Sequence, residues 1–316
     1  MNISLASGNL KPQIKQLWHD CFGDTDPYLS WYFDSINKDE NTVVAEENGT
    51  LLGAAQIRPH RIFLHGETYN CGYVCGVCTQ LQARGRKIGS LIMSEIAKVS
   101  QKRGNEFNVL VPIIDEFYEK NGFVRCFDRT EYFFDIKDIQ RFSLENAHKT
   151  ATKDDAKRLI DIYNTFASGY DCYMFRDEEY FSQLVDQYIA CGGGCVIFAS
   201  GGYILFYPEK GTMRIEEAIA LNMQASKDIL AFIAAQGEKC EKAVLRCGEN
   251  DFFSLILNTL YVQCKRTHNV NIQPFFMTET EVLLKCGRLN SHVAKLANIG
   301  ELPAHSHTSA FVNILL

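Results

Sequence analysis

The sequence predicts an α/β (α+β) chain in which one pattern of helices and strands is used twice in tandem. Three observations carry this. A β-rich run passes through a short basic loop into an amphipathic helix over residues 73–99, and an Asn-Gly turn joins two apolar strands just upstream. From about residue 146 the same order of helix, helix, strand, glycine turn, strand, strand, helix and strand begins again. Self-similarity on this scale outranks any local reading of the individual segments.

In the first copy, Leu10, Ile14, Leu17, Trp18 and Cys21 recur at helical spacing. The turn formers of residues 22–27 then break the chain. A second helix is expected over 28–36, carrying Trp31, Tyr32 and Phe33 as core or as the wall of a pocket. Residues 42–46 and 51–57 read as strands around Asn48-Gly49, a pair that tolerates positive φ at both central positions of a hairpin turn. Residues 60–64 continue the sheet.

Residues 73–81 are the strand that enters the basic loop Arg84-Gly85-Arg86-Lys87, and Ile88, Leu91, Ile92, Ile96 and Val99 form the apolar stripe of the helix that follows. At the start of a helix several N–H groups have no internal acceptor and the dipole is positive. The successive amides of Arg84, Gly85, Arg86, Lys87, Ile88, Gly89 and Ser90 can therefore ring an anionic phosphate. Gly85 and Gly89 let the backbone approach closely. The same composition also suits a solvated turn, so the downstream signal matters: a strand over 107–111 is followed by Phe117-Tyr118 and then Gly122-Phe123.

Arg84 with Gly89, followed across a helix and a strand by Phe117-Tyr118 and Gly122-Phe123, resembles the GNAT superfamily of acyl-CoA-dependent N-acetyltransferases. The family's loop is usually R/Q-x-x-G-x-G/A, and here Lys87 replaces its first glycine. The element order over residues 1–135 is also the GNAT order. The resemblance implies mixed, mostly antiparallel sheets flanked by helices, acetyl-CoA as co-substrate, and no metal. It implies that the backbone of Val77, Cys78 and Thr79 holds the pantetheine arm and the carbonyl, that residues 84–90 hold the pyrophosphate, and that Tyr118 protonates the departing sulfur. A phenol suits that role, because its ordinary pKa of about 10 lies near the value of about 8.5 of a thiol. No general base is identifiable among Glu46, Glu47, Glu106, Asp115 and Glu116.

In the second copy, Thr152-x-x-Asp155 resembles a capping box before Ala156, Leu159, Ile160 and Tyr163. A helix is expected over 175–184, strands over 195–200, 203–207, 214–221 and 243–247, and a helix over 225–235. Only Asn222-Met223-Gln224 stands where the first copy has its basic loop, so the second copy should not hold a pyrophosphate. The tandem arrangement is similar to acetyltransferases of the enhanced intracellular survival (Eis) type, which end in a sterol-carrier-like domain. The expected domains are 1–140 (catalytic), 141–285 (degenerate) and an extension, 286–316, too short for a complete third domain.

Composition bounds the rest. A chain of 316 residues can bury two cores, and a net charge of −6 without charged tails implies neither nucleic acid nor an anionic membrane as partner. No apolar run has the length of a membrane span and the first residues lack a signal-peptide pattern, so a cytoplasmic location is expected, with the twelve cysteines reduced. Cys75-x-x-Cys78 lies in a β-rich run and not at a helix N-terminus, and it lacks a second ligand pair, so it reads as structural thiols. Cys191 and Cys195 read the same way, and His305 with His307 as a polar turn. The expected acceptor is a small-molecule or peptide amine; a homo-oligomer is left open. Two other readings stand beside this one, a non-catalytic acyl-CoA-binding regulatory module and a tandem-GNAT aminoacyl transferase. The latter would call for a basic groove and no CoA loop.

Overall fold

The computed structural model describes residues 1–64, 66–170, 172–247, 251–260 and 262–275. The expectations for 286–316, including His305 and His307, lie outside the described residues. By contacts the chain divides into two compact units, Met1–Phe127 with the described residues from Asn269 onward, and Asp128–His268.

The first unit runs β1 (Asn2–Leu5), α1 (Lys11–Phe22), α2 (Tyr28–Trp31) continued by a π turn (Tyr32–Ile36), β2 (Thr42–Glu47), β3 (Thr50–Leu64), β4 (Glu67–Thr79), α3 (Ile88–Lys102), β5 (Phe107–Leu110), α4 (Asp115–Glu119) and the start of β6 (Val124–Asp135). Helix α1 stops at Gly23, whose φ of 77° lets its N–H return to the His19 carbonyl. Asn48 (φ 53°) and Gly49 (φ 76°) make the hairpin turn between β2 and β3. The strands expected at 51–57 and 60–64 are one strand, β3. Its sheet runs β1-β2-β3-β4-β5 and is antiparallel except between β4 and β5.

Strand alternation gives this sheet two apolar faces. One carries Val44, Ala54 and Cys78 against Ile14, Leu17, Trp18, Leu29, Tyr32 and Phe33 of α1, α2 and the π turn. The other carries Val43, Ala45, Ala55, Ile57 and Val74 against Ile88, Ile92, Ile96 and Val99, the stripe expected of α3. Each such buried side chain contributes roughly 1.5–3 kcal/mol.

The second unit runs from the rest of β6 through β7 (His148–Thr150), α5 (Ala156–Ala167), β8 (Cys172–Met174), α6 (Glu178–Ala190), β9 (Gly194–Phe198), β10 (Gly202–Glu209), β11 (Thr212–Ala220), α7 (Met223–Ala234), β12 (Lys242–Cys247) and α8 (Phe252–Leu257) to the start of β13 (Gln263–Pro274). The capping box forms as expected between Thr152 and Asp155. Its sheet is β7-β9-β10-β11-β12-β6, antiparallel except between β11 and β12, which repeats the first sheet strand for strand. The sixth positions are exchanged. Thr130–Asp135 of β6 pair with β12, while Asn271–Pro274 of β13 pair with β5. Neither β6, β13 nor the short β1 was expected from the sequence.

Candidate functional site

The site begins where two strands part. β4 pairs in parallel with β5 through Cys71, Gly72 and Tyr73, yet β4 itself continues to Thr79. Just beyond the last pair its ladder with β3 slips: Gln56 faces Cys75 and Ala54 faces Cys78, so Gly76 and Val77 bulge opposite one residue. Gly76 has φ 61°, and a Cβ there would stand 2.2 Å from the Trp18 ring. The bulge thus needs glycine twice over, for its backbone and for the indole.

After the bulge the ladder can be followed amide by amide. Gln80 N donates to Leu52 O at 2.9 Å. Alternation then turns the Cys78 amide toward Ala54 and the Thr79 amide and carbonyl away from β3, into the opening left by β5. Of the three backbone groups expected to hold the pantetheine arm, Thr79 is turned away from β3 and Val77 lies in the bulge. Cys78 lies opposite Ala54 in the β3 ladder.

The basic loop follows at once. A 3-10 turn, Leu81–Ala83, uses the Arg84 amide, which donates to Leu81 O at 3.3 Å. The ring of free donors therefore starts one residue later than expected. Gly85 (φ 83°) and Lys87 (φ 62°) both adopt left-handed backbone, the region that glycine enters without steric cost. No side chain caps α3, and the amides of Ile88, Gly89 and Ser90 have no acceptor within the helix. Arg86 makes two hydrogen bonds to Glu47, at 3.0 and 2.9 Å, in an exposed pair that holds the Glu47 carboxyl below its usual range. A Cβ on Gly85 would touch nothing within 4 Å. Gly85→Ala should therefore cost only the left-handed backbone penalty, about 1–2 kcal/mol, read as a shift in urea midpoint. A larger loss would mean that the loop is more tightly held than its open surroundings indicate.

Tyr118 is brought to this place by its motif. Asn121 Nδ2 donates to Phe117 O at 2.7 Å, Gly122 turns at φ 85°, and Phe123 N returns to Tyr118 O at 3.1 Å. The Phe117 and Phe123 rings stand edge-on to Tyr118 with centroids 5.0 and 5.9 Å away. Phe117 also lies over Gly89, where a Cβ would come within 3.1 Å of its ring. Tyr118 is 8% exposed and shares a core cluster with Val74 and Ile88, with Val77 packed against it. Burial pushes its phenol up to about 12, with a smaller contribution from Cys75. Of the carboxylates considered as base, Asp115 lies 3.7 Å from Arg125, and Glu47 is taken by Arg86.

One residue of the site was not expected. Cys21, in the last turn of α1, places its Sγ 3.7 Å from the Thr79 carbonyl. The Cys78 side chain, the Thr79 carbonyl and the charge of Arg84 are among the influences that lower its thiol to about 6, against the opposing effect of burial. Cys75 and Cys78 are buried free thiols, as expected; Cys191 and Cys195 are also free. Among the described residues no group of three or more His, Cys, Asp or Glu is placed to hold a metal, and no helix is long and apolar enough to cross a membrane.

The second unit repeats the geometry with the opposite chemistry. β11 pairs with β12 only from Thr212 to Ile215, and its ladder with β10 slips around Glu216. Carboxylates occupy the parting: Glu217 is bound by Arg176 at 2.7 and 2.9 Å and by Tyr203 at 2.6 Å, and Glu216 pairs with Arg246. Helix α7 is capped by its own Asn222, which accepts from Ala225 N at 2.9 Å. Carboxylates paired with arginines, and a helix start capped by Asn222, thus stand where the first unit has its basic loop and uncapped helix.

Residues 2–126 match the family model for the acetyltransferase (GNAT) domain. No curated protein matches the chain. Among solved structures, a probable N-acyltransferase from Enterococcus faecalis is similar at 17% identity and a TM-score of 0.72, over 90% of this chain and 74% of that one. A GCN5-related N-acetyltransferase from Kribbella flavida is similar at 16% identity and 0.69, over 87% and 71%. Eis1 from Mycobacterium abscessus is similar at 10% identity and 0.65, over the whole of both chains. At these identities the likeness is one of fold.

Proposed function

We propose, from the match of residues 2–126 to the acetyltransferase (GNAT) domain model, that the protein moves an acetyl group from acetyl-CoA to a primary amine by direct attack, with Tyr118 as general acid. The observation that carries this is the placing of a parted strand pair, β4 and β5, directly before a helix start whose amides are uncapped. Such a cleft supplies outward backbone groups for an amide-rich arm and, a few residues on, a positive end for a diphosphate. Thr79 and the Val77 bulge would hold the pantetheine and polarise the thioester carbonyl. Gly85, Arg86, Lys87, Ile88, Gly89 and Ser90 would hold the diphosphate by their amides, with Arg84 adding charge.

The phenol of Tyr118 then donates its proton to the sulfur as the C–S bond breaks, and the amine loses a proton to water or an unassigned base. A pKa of about 12 keeps the phenol protonated at neutral pH. The thiolate forming beside it is raised by the same apolar surroundings, which narrows the gap between donor and acceptor. The acceptor is a small-molecule or peptide amine.

Titration with CoA tests the binding half of the proposal. A ligand that binds only the folded state stabilises it by about 2.7 kcal/mol at a hundredfold excess over Kd, so the melting temperature should climb with CoA concentration. An unchanged melting curve at millimolar CoA would remove the site. With CoA bound, acetyl-CoA and a panel of amines then separate a transferase from a binding module.

A further inference from the structure

The side chain that holds the turn behind Tyr118 comes from far along the chain. Helix α4 is five residues long, too short to be stable by its own hydrogen bonds. The residues after it do the holding. Asn121 N and Phe123 N both donate to Tyr118 O, at 2.9 and 3.1 Å, and Asn121 Nδ2 donates to Phe117 O. The carbonyl of that turn, Asn121 O, accepts from Gln273 Nε2 at 2.8 Å. Gln273 stands on β13 opposite Asn108 of β5.

This bond ends an unbroken line of polar groups. Asn105 Nδ2 donates to Ser100 Oγ at 2.8 Å, Ser100 Oγ to Asn108 Oδ1 at 2.6 Å, Asn108 Nδ2 to Gln273 Oε1 at 3.1 Å, and Gln273 Nε2 to Asn121 O. One carbonyl sets the sense of the whole line. Asn121 O can only accept, so Gln273 turns its nitrogen there and its oxygen to Asn108, which leaves the Asn108 oxygen for Ser100. The sheet makes room for this arrangement: Gly72 of β4 lies opposite Asn108, and a Cβ there would stand 2.4 Å from Asn108 Oδ1. Ser100 and Asn108 are fully buried, so a break in the line strands a polar group in the interior.

We propose that Gln273 is a positioning residue for the Tyr118 phenol, acting through its hold on Asn121 O. The proposal rests on the reading of Tyr118 as general acid. A proton donor must come within hydrogen-bond reach of the sulfur, and a displacement of about 1 Å lowers a rate by up to about a hundredfold. The Gln273 side chain bonds to Asn108 and Asn121, whereas the donors proposed for CoA lie on β4 and in the loop before α3. Its loss should therefore act on turnover and leave CoA binding as it is.

The test replaces Gln273 in the whole chain. Gln273→Met keeps the length of the side chain and removes both hydrogen bonds; Gln273→Glu keeps the oxygen facing Asn108 and loses only the donor, and serves if the first variant does not fold. Turnover should fall at least about tenfold, though less than in Tyr118→Phe, while the KM for acetyl-CoA and the CoA-dependent rise in melting temperature stay as in the parent. In a Tyr118→Phe background the same change should lower turnover by less than about twofold, because the group it positions is gone. Hydrogen exchange read by mass spectrometry should quicken in the peptide covering 118–124 and stay unchanged in α7. Equal falls in both backgrounds, a raised KM that accounts for the loss, or unchanged exchange at 118–124 each overturns the proposal. A fall in Tyr118→Phe without one in Gln273→Met sinks this proposal and leaves the acid reading standing. No fall in Tyr118→Phe removes both.

Discussion

Replacing Tyr118 by Phe is expected to lower turnover by about 10²- to 10⁴-fold, the usual contribution of a positioned general acid, with the CoA-dependent rise in melting temperature unchanged. The separation follows from the geometry. The hydroxyl is the only group removed, and the ring keeps its edge-on contacts with Phe117 and Phe123. The donors proposed for the diphosphate, which belong to the loop before α3, are untouched. An acid must be protonated to act, so activity dependent on Tyr118 is lost only as pH rises through about 12. Any alkaline limb at lower pH belongs to another group. A variant within about tenfold of the parent in turnover would assign the proton to water and leave Tyr118 a packing residue.

Gly76→Ala should be the most damaging small substitution in the first unit. Two costs coincide at this position, left-handed backbone worth about 1–2 kcal/mol and overpacking worth about 1–3 kcal/mol. The indole has little room to yield. Trp18 is 4% exposed, its Nε1 donates to Asp24 at 2.7 Å, and the rings of Phe22, Tyr32 and Phe33 lie 5.1, 4.8 and 5.8 Å from it. A loss of roughly 2–5 kcal/mol is a large share of the 5–15 kcal/mol that holds a typical domain. Urea denaturation beside Gly85→Ala provides the comparison, because both glycines have positive φ and only Gly76 has a neighbour to strike. Equal losses would show that Trp18 moves aside.

What could be read from the sequence is what is local. Asn48-Gly49 specifies its turn, Thr152 and Asp155 their cap, and Ile88 to Val99 the buried stripe of α3, because each signal lies within a few residues of its structural effect. The basic loop could be read for the same reason, although the way Lys87 fits could not. What could not be read depends on partners far along the chain. Cys21 looked like one more apolar residue on the stripe with Leu10, Ile14, Leu17 and Trp18; its contact with Thr79 spans 58 residues. The bulge at Gly76 was hidden inside a C-x-x-C spacing that drew attention to its sulfurs. Glu216 and Glu217 belonged to an ordinary-looking strand until Arg246 and Arg176 came to them.

The exchanged sixth strands restrict how this protein can be cut or inherited. A fragment ending at Phe127, or anywhere before Asn271, keeps the cleft residues but loses the segment that covers β5, leaving the hydrogen-bonding edge of Phe107–Leu110 bare and prone to self-association. The second half, expressed alone, would lose Thr130–Asp135 and bare β12 in the same way. The second half of the chain is therefore needed by the first whatever its own chemistry, because Asn271–Pro274 complete the sheet that carries the cleft.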